Sequence, residues 1–478
     1  MTEALAPRAW INAILVAGVA LLVGLLAGKH ASYALALAAV LIVTALAFAA
    51  PVTHMTILLI LCTIVPFSVT DAYHLGGGGS GNSGLQATDL FLLTGLLRAA
   101  LVLPQLRLTR RQLTTIALVF VAVAFTVYEA VVGIRSGQLV SEVGQEFRAL
   151  AGGFAFALIV MTALEDRGAH RRVLKALVFL GLVLGLWGLA QWTLGVGFNG
   201  SFGVRSGVSL TSNGVGQLEG GLSAYPVAIA LAVAALTSGA LQTWRERAVV
   251  WAVLVLNAVS LLLTFERTAW VAAVVAVLLV ALRAGRIRRV RALASIVIIT
   301  IVSVTALAAV SPSTLQTAEQ RLLSIGQYQT DNSVRYREVE SGFVLAKIRA
   351  KPILGWGLGD TIFWGQPWQG DPPQLQSYTH VGYLWLFWRE GILGGAVFLL
   401  LLAISALWPG RARAGVLVNA VKTGCQASIV AILIMNFAYP EFHQGSQETF
   451  LMGLLVAYCA LPVVSGRSAP PTHAAVAS

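Results

Sequence analysis

The sequence predicts an all-α, polytopic integral membrane protein with about fourteen transmembrane helices and one large outer-face loop that carries an interfacial helix. Of the 478 residues, 57% are hydrophobic and only 11% are charged. In a soluble globular protein about a quarter of the residues are charged, so this composition excludes a soluble globular protein. Apolar runs of roughly 15 to 22 residues recur between short polar breaks, which suits helices that cross about 30 Å of hydrocarbon. The alternating pattern of a transmembrane β-barrel is not present.

The predicted spans are joined by short connections, except for one long polar segment before the last three spans. They lie near residues 10–28, 33–50, 55–70, 90–104, 113–134, 149–164, 176–194, 222–239, 249–265, 268–282, 293–310, 381–408, 415–437 and 449–465. We therefore divide the chain into transmembrane helices (1–310), a large extracytoplasmic loop (311–380), C-terminal transmembrane helices (381–465) and a disordered cytoplasmic tail (466–478). The segment 381–408 is long enough for a half-helix, a break at Gly394 and Gly395, and a complete span.

The positions of lysine and arginine set the predicted orientation, because short cytoplasmic loops retain these residues. One side of the predicted topology carries most of them, including the arginines between 283 and 291. Short loops on the other side carry only Lys29, Arg135, Arg148, Arg205 and Arg267. Both termini are therefore expected in the cytoplasm and the 311–380 loop outside. The net charge of +12 is explained by this asymmetry, so we predict no nucleic-acid partner.

Metal and cofactor motifs are absent from the sequence. Cys62, Cys425 and Cys459 fall inside predicted spans, where they would pack as small apolar residues. The histidines form no HExxH pattern, and Glu441 with His443 is too sparse a pair to indicate a metal site. There is no G-x-S-x-G motif and no dinucleotide fingerprint. We therefore predict no metal, no cofactor and no serine triad.

The large loop has internal structure. Between residues 335 and 350, the apolar residues Val339, Phe343, Val344 and Ile348 fall near one face of a helix that could lie on the outer membrane surface. Pro352 ends this helix. The glycines of the following segment, residues 355–360, allow tight turns close to a ligand or another helix. Trp364 and Trp368 come next, and the sequence leaves membrane anchoring and sugar stacking equally open for them.

The glycine tract at residues 76–81, in an earlier loop, is interpreted as a flexible connector.

Several charged residues on the predicted outer side could carry chemistry. Arg267 is confined to the membrane surface where one span ends and the next begins, with Glu266 beside it. Such an arginine either pairs with Glu266 or a phospholipid, or binds a phosphate or pyrophosphate group. Arg321, Arg335 and Arg337 enlarge the positive surface, or form an ordinary solvated face.

Two further candidates are a histidine and an intramembrane carboxylate. His380 precedes an apolar helix, and its imidazole could accept a proton from a substrate or simply cap the helix. Glu129 lies near the outer end of its predicted span, and ionisable residues inside a membrane are functional candidates by default.

Three sequence segments together resemble the O-antigen ligase and O-antigen polymerase superfamily. They are LLLTFERTAW (261–270), SVRYREVESGFVLAKIRAKPILGWGLGD (333–360) and THVGYLWLFWREGILGG (379–395). The family shows a T-x-S-R motif at the end of a span, an arginine before an interfacial helix, P-x-x-G-x-G-x-G, and a histidine followed by a helix with a glutamate and spaced glycines. The resemblance covers roughly residues 255–405. Here Glu266 replaces the family's serine, and Val381 replaces the asparagine that follows the histidine.

The resemblance implies a metal-independent glycosyltransferase of a bacterial cytoplasmic membrane, with its active face outside. Its partners would be membrane lipids, an undecaprenyl-pyrophosphate-linked glycan donor, and a glycan or lipid acceptor that supplies a hydroxyl. Arg267 and Arg335 match the family's arginines and would bind the pyrophosphate, whereas His380 would orient or deprotonate the acceptor. Glu266 could pair with Arg267 or act as a base, and Arg205 matches only as an arginine of an upstream loop.

Four functions remain open at this stage. A ligase and a polymerase of the superfamily share the donor and differ in the acceptor. A lipid-linked oligosaccharide flippase or exporter would carry charges along a central cavity through several spans, and the sequence places few charges there. A non-catalytic scaffold would tolerate replacement of Arg267 and His380.

Overall fold

The computed structural model describes residues 31–63, 87–165, 168–194, 207–210, 216–219, 222–284, 311–323, 332–365, 373–408, 415–440 and 446–461, with Phe442 and several residues between 289 and 308. Some predicted features lie outside these residues. They are the first span (10–28), the glycine tract (76–81), Arg205, Trp368, the pair Glu441 and His443, and the tail (466–478).

Most of the described residues are helical, as the apolar runs predict. The helices are α1 (Ala31–Ala49), α2 (Pro51–Thr63), α3 (Ala87–Val102), α4 (Arg110–Arg135), α5 (Val140–Ala163), α6 (Ala169–Leu194), α7 (Ala224–Ser238), α8 (Trp244–Leu263), α9 (Arg267–Arg283), α10 (Pro312–Leu323), α11 (Asn332–Ala350), α12 (Gly382–Leu407), α13 (Gly415–Met435) and α14 (Ser446–Ala460). Capping boxes begin two of them: Thr109 with Gln112 at α4, and Thr243 with Glu246 at α8.

Within the described residues, 7 helices are long and apolar enough to cross a membrane. They are α4, α5, α6, α8, α12, α13 and the helix from Thr88 to Gln105, which includes all of α3 except its first residue. Shorter apolar helices occur in α1, α2, α7 and α14. These helices confirm a multi-pass membrane protein. The total of about fourteen spans stays a prediction.

The described residues are mostly helical, as predicted, and two short antiparallel ribbons lie between the helices. Strand β1 (Gly207–Leu210) pairs with β2 (Gly216–Glu219), and β3 (Ile362–Trp364) pairs with β4 (Gln374–Gln376). Each strand has only three or four residues, too few for alternation to be recognised in a sequence. Trp364 is not a surface anchor, because its side chain is only 2% exposed.

Helix α5 lies at the centre of the fold and packs most extensively on α14. Small residues allow this close approach, as is typical of membrane helices. A Cβ atom at Gly453 would lie 2.1 Å from the carbonyl oxygen of Gly153, and one at Gly153 would lie 2.6 Å from that of Thr449. The two helices therefore touch through their backbones. A second apolar core joins α6, α7, α8, α9 and α13 through many buried alanines.

Helix α12 is broken inside its apolar run. Gly391 has φ 61° and ψ −174°, which no helix contains, and the break divides the span into two parts. The sequence predicts a break here, but at Gly394 and Gly395. Those two glycines are helical and buried, and they serve close packing instead: a Cβ atom at Gly395 would lie 2.7 Å from the ring of Phe387.

The segment 352–360 fills the break and replaces the hydrogen bonds that the helix has lost. The amides of Ile392 and Leu393 donate to the carbonyls of Pro352 and Ile353, at 2.8 and 3.2 Å. In return, the amides of Trp356 and Gly357 donate to the carbonyls of residues 388 and 389, at 3.0 and 3.2 Å. Backbone groups inside a membrane need such partners.

The three glycines of this segment confirm the predicted tight turns next to other helices. Gly355, Gly357 and Gly359 all have positive φ values, of 76°, 87° and 77°. Added Cβ atoms would lie 2.2 Å from the Arg389 carbonyl, 2.7 Å from the Gly133 amide nitrogen and 2.8 Å from Val143, respectively. The segment is therefore wedged between α4, α5 and α12.

Replacing Gly391 by alanine should destabilise the protein. The new Cβ atom would lie 2.3 Å from the carbonyl oxygen of Ile353 in a backbone conformation that side chains rarely adopt. We expect a loss of about 2 kcal/mol or more, measured as a lower Tm of the purified protein in detergent. Gly144→Ala in α5 is the control, because an added Cβ there meets no atom within 4 Å. Equal melting of both variants would contradict the role assigned to the break.

Candidate functional site

His380 is held by a buried glutamate that the sequence did not single out. It lies two residues before α12, and its backbone amide donates to Oε2 of Glu340 at 2.9 Å. The ring Nδ1 lies 3.2 Å from both carboxylate oxygens of Glu340. Glu340, on α11, is fully buried, whereas the His380 side chain is 28% exposed. A carboxylate at Nδ1 favours the tautomer that carries its proton there, which leaves Nε2 free to accept a proton.

Aromatic rings fix the imidazole from two sides. Tyr336 meets the His380 ring edge-on at 5.1 Å, and Tyr378 lies 5.5 Å from it. Behind Tyr336, the buried ring of Trp364 packs at 4.8 Å. Tyr336 and Glu340 are one helical turn apart on α11, so one face of this helix supplies both the ring contact and the carboxylate.

The turn between α8 and α9 presents Glu266 and Arg267. Phe265 is buried and has φ 51°, a value that bulky residues rarely adopt. Thr264 stabilises this turn, because its hydroxyl donates to the Leu261 carbonyl at 2.7 Å and accepts from the Glu266 amide at 3.3 Å. The Glu266 carbonyl then accepts from the amides of Ala269 and Trp270 in the first turn of α9. The strained backbone is therefore held from both sides.

The Glu266 carboxylate lies within electrostatic range of four of the predicted site residues. Burial raises the pKa of Glu266 above its usual value, and the positive charges of Arg337, Arg321, Arg267 and protonated His380 oppose that rise. These groups come from α9, α10, α11 and the residue pair before α12. Residues that are more than a hundred positions apart in the sequence thus form one cluster around Glu266.

Two predicted arginines are not placed in this cluster. Arg335 is exposed on the first turns of α11 and lies about 140° around the helix from Glu340, at about 100° per residue. Arg337, by contrast, lies close to the face that carries Glu340. Arg205 lies outside the described residues. The roles of Arg335 and Arg205 therefore stay predictions from the family resemblance.

Glu129 belongs to a different buried cluster. It is fully buried in α4, and its carbonyl accepts from the Leu358 amide at 3.1 Å. Its carboxylate lies within electrostatic range of Glu390, and neither of its side-chain oxygens has a hydrogen-bond partner among the described residues. Glu390 lies eight residues into α12 from Gly382, or about 12 Å along the helix axis. Glu129 therefore lies beside an interior part of α12, and not near the beginning of α12 where His380 lies.

A fully buried arginine connects the helix break to the segment below His380. Arg389 forms an ion pair with Glu146 of α5 at 2.7 Å, and donates to the carbonyls of Asp360 and Ser377. The other carboxylate oxygen of Glu146 accepts from the Gly359 amide at 2.7 Å. Ser377 lies three residues before His380, so this network also holds the approach to the histidine.

Asp360 completes the network. Its carboxylate accepts from Lys347 and from the indole nitrogen of Trp388, both at 2.8 Å, and from Gln138 at 3.3 Å. Lys347 lies on α11, seven residues after Glu340. Helix α11 is therefore anchored at two levels to the broken helix: by Lys347 to Asp360 and by Glu340 to the residues before α12.

The position of Glu340 on the apolar face of α11 is a sequence feature that indicates a buried, paired carboxylate. Glu340 falls four residues before Val344, which belongs to the apolar face predicted for α11 and is fully buried. A carboxylate on a buried face is a candidate for a paired charge. Glu146 was missed for another reason. The predicted span began at 149, whereas α5 begins at Val140 and includes it.

Fold and site together define a polytopic membrane protein with a charged cluster at one end of its helices. The family model for O-antigen ligase matches residues 252–399, which contain Glu266, Arg267, the loop helices and His380. This match confirms the resemblance to the O-antigen ligase and O-antigen polymerase superfamily. No curated protein matches the sequence.

The raised pKa of Glu266 predicts how stability depends on pH. The folded protein keeps this carboxyl protonated at pH values where the unfolded chain, with a pKa near 4.5, has lost the proton. The stabilisation from this group is therefore complete below the unfolded pKa and is lost as pH rises through the folded pKa. As pH rises above about 5, the Tm of the wild type should therefore fall more steeply than that of Glu266→Gln.

Glu338→Gln provides the control, since Glu338 is exposed on α11. The Tm of this variant should change with pH in the same way as the Tm of the wild type. Parallel profiles for the wild type and Glu266→Gln would show that burial does not act on Glu266 in this way.

Proposed function

We propose that this protein is a membrane glycosyltransferase of the O-antigen ligase type. It moves a glycan from an undecaprenyl-pyrophosphate carrier to an acceptor hydroxyl at the extracytoplasmic face of a bacterial cytoplasmic membrane, without a metal ion. The observation that carries this proposal is that Arg267, Arg321, Arg337 and His380, from different segments of the chain, all lie within electrostatic range of Glu266. The family match covers this cluster and supports the proposal.

The arginines suit the leaving group of this reaction. Pyrophosphate gains negative charge as its bond to the sugar breaks, and planar guanidinium groups bind such oxygens through paired hydrogen bonds. Arg267, Arg321 and Arg337 come from three different helices, and all three lie within electrostatic range of Glu266. Positive groups that are fixed before the reaction stabilise the developing charge without having to reorganise.

The pair formed by His380 and Glu340 suits the acceptor. The acceptor oxygen attacks the anomeric carbon, the bond from that carbon to the pyrophosphate oxygen breaks, and the pyrophosphate leaves with the bonding electrons. The proton of the acceptor hydroxyl passes to Nε2 of His380. The Glu340 carboxylate at Nδ1 keeps the ring oriented and stabilises the imidazolium that results.

Glu266 has two possible parts in this scheme. Its carboxylate can hold the neighbouring guanidinium groups in place before the donor arrives, or it can assist in removing the proton. Both roles stay open: the neighbouring positive charges favour the ionised carboxylate that the first role needs, whereas burial raises the pKa of Glu266 and favours the proton uptake that the second role needs. In the first role, the donor pyrophosphate would replace Glu266 as the partner of these arginines.

Charge distribution supports an extracytoplasmic location. The cluster lies at the N-terminal end of α9 and before α12, whereas Arg283 ends α9 and the arginine-rich sequence 283–291 follows it. Short loops rich in arginine stay in the cytoplasm. The cluster at the other end of α9 is therefore proposed to face outward, together with the 311–380 loop.

A lipid-linked oligosaccharide flippase is the second candidate, and one observation favours it. The sequence placed few charges inside the spans, but the structure buries Glu129, Glu146, Arg389, Glu390 and Lys422 in described helices. Intramembrane charges often mark transport pathways. Arg389 and Glu146, however, pair with each other and with backbone groups, which is typical of a structural role.

Transfer and flipping can be separated with purified protein in liposomes. With undecaprenyl-pyrophosphate glycan, an acceptor and a chelator present, we expect transfer by the wild type and a loss of about 100-fold or more in Arg267→Ala and in His380→Ala. Arg349→Ala should stay active, because Arg349 is exposed near the end of α11. Donor flipping without transfer, or unimpaired variants that fold normally, would reject the transferase.

Glu340→Gln should act on the chemical step and not on binding. The amide keeps the shape of the side chain but cannot stabilise the imidazolium, so kcat should fall by about 10- to 100-fold with little change in the KM of the donor. Glu338→Gln, on an exposed position of the same helix, should leave both constants unchanged. A rise in KM alone would show that Glu340 supports binding and not proton transfer.

A further inference from the structure

A second group of positive charges lies at the opposite end of α9 from Glu266. It comprises Arg283 at the last position of α9, Lys422 in the second turn of α13 and Arg111 near the start of α4. Arg111 and Arg283 both lie within electrostatic range of Lys422. Helix α9 has 17 residues, so the two charged groups are about 25 Å apart along it. This cation group is therefore distinct from the proposed transferase site.

A cavity of about 580 Å³ opens beside these cations. Arg283 and Lys422 border it, together with polar groups that can donate hydrogen bonds. The polar residues of its wall are Thr237, Ser238, Asn419, Thr423 and Gln426. The remainder of its wall is mostly apolar, including Leu282, Leu407 and Val416. A polar interior with an apolar border suits a ligand that has a charged head and a hydrocarbon part.

The positive charge of Lys422 has no partner among the described residues. Its side chain is 2% exposed, and its Nζ atom makes no hydrogen bond there. Arg283 is differently placed, because it donates to Gln426 at 2.6 Å and to the Ala406 carbonyl at 2.9 Å. Arg111 lies over the ring of Trp408, 5.0 Å from its centroid. Two guanidinium groups thus lie within electrostatic range of an ammonium group for which the described residues supply no hydrogen-bond acceptor.

The described wall of the cavity carries no acidic residue that would offset this charge, neither aspartate nor glutamate. In the sequence, the connections after Arg283 (284–292) and before α13 (409–414) carry arginines and no acidic residue. A buried ammonium group without a counter-ion is costly in a low-dielectric environment. An anion from outside the chain would remove that cost.

We propose that this cavity binds a phosphate-bearing anion, with Lys422 as the principal contact and Arg283 and Arg111 as supporting charges. Such a phosphate can belong to the headgroup of an acidic phospholipid or to a soluble phosphate or pyrophosphate. The apolar border and the position at the end of several spans suit a lipid headgroup with its acyl chains directed along the helices. The site does not depend on the transferase activity proposed above.

The test uses the full-length protein in a neutral detergent, with Tm as the readout. Phosphatidylglycerol should raise the Tm of the wild type in a concentration-dependent manner, whereas phosphatidylcholine with the same acyl chains should not. Lys422→Met should weaken this effect about tenfold in apparent affinity, because it removes the charge and keeps an apolar stem. Without added lipid, this variant should melt no lower than the wild type, since it removes an unpartnered buried charge.

Lys175→Met is the matched control. Lys175 lies in the second turn of α6, as Lys422 does in α13, but its side chain is exposed. It should respond to phosphatidylglycerol as the wild type does. Asn419→Asp is a second variant. It replaces a neutral amide in the cavity wall by a carboxylate, whose negative charge should repel the phosphate and abolish the rise in Tm.

The outcomes separate the sources of the phosphate. A response to phosphatidylglycerol that Lys422→Met and Asn419→Asp lose identifies a lipid headgroup. The same pattern with inorganic phosphate or pyrophosphate identifies a soluble anion and also supports the site. An equal response in all variants, or no response to any of these probes, would overturn the proposal.

Discussion

The break in α12 at Gly391 determines how α11, α12 and the segment between them fit together. A helix that is interrupted inside a membrane loses backbone hydrogen bonds that lipid cannot replace. Here the segment 352–360 replaces them with two amides and two carbonyls, and its glycines allow contact with three helices. The segment follows α11 directly, so the repair of one helix also fixes the position of another. The buried ion pair of Arg389 and Glu146 holds the repair in place.

This arrangement explains why His380 and Glu340 can meet although 40 residues separate them. Helix α11 is anchored below by Lys347 and Asp360, and α12 begins directly after His380. Glu340 therefore faces a histidine that is itself held by the network around Arg389. The turn with the strained Phe265 brings Glu266 and Arg267 to the same end of the helices. Strained backbone and buried charge pairs are costly, and they persist where function requires them.

Much of this architecture could be predicted from the sequence, because apolar length and motif spacing are local properties. The spans near residues 113–134, 268–282 and 415–437 agree with α4, α9 and α13 to within a few residues. One predicted membrane side and the family resemblance together indicate a shared site for Arg205, Arg267, Arg335 and His380, whereas Arg321 and Arg337 are predicted only to enlarge the positive surface or to form a solvated face. Glu340, Arg389 and Asp360 could not be assigned in this way, because their roles depend on contacts between distant segments. The break was placed three residues late, since the sequence does not distinguish a glycine with positive φ from glycines that pack helices closely.

We propose that one site, formed by the α8–α9 turn, α10, α11 and the start of α12, holds the pyrophosphate of a lipid-linked donor beside His380. A cryo-electron microscopy structure of the protein with a non-hydrolysable undecaprenyl-pyrophosphate glycan analogue would test this arrangement. We expect phosphate density in contact with Arg267, Arg321 and Arg337, with the first sugar next to Nε2 of His380. Density for the pyrophosphate at the Lys422 end of the helices, or a His380 ring turned away from the sugar, would contradict it.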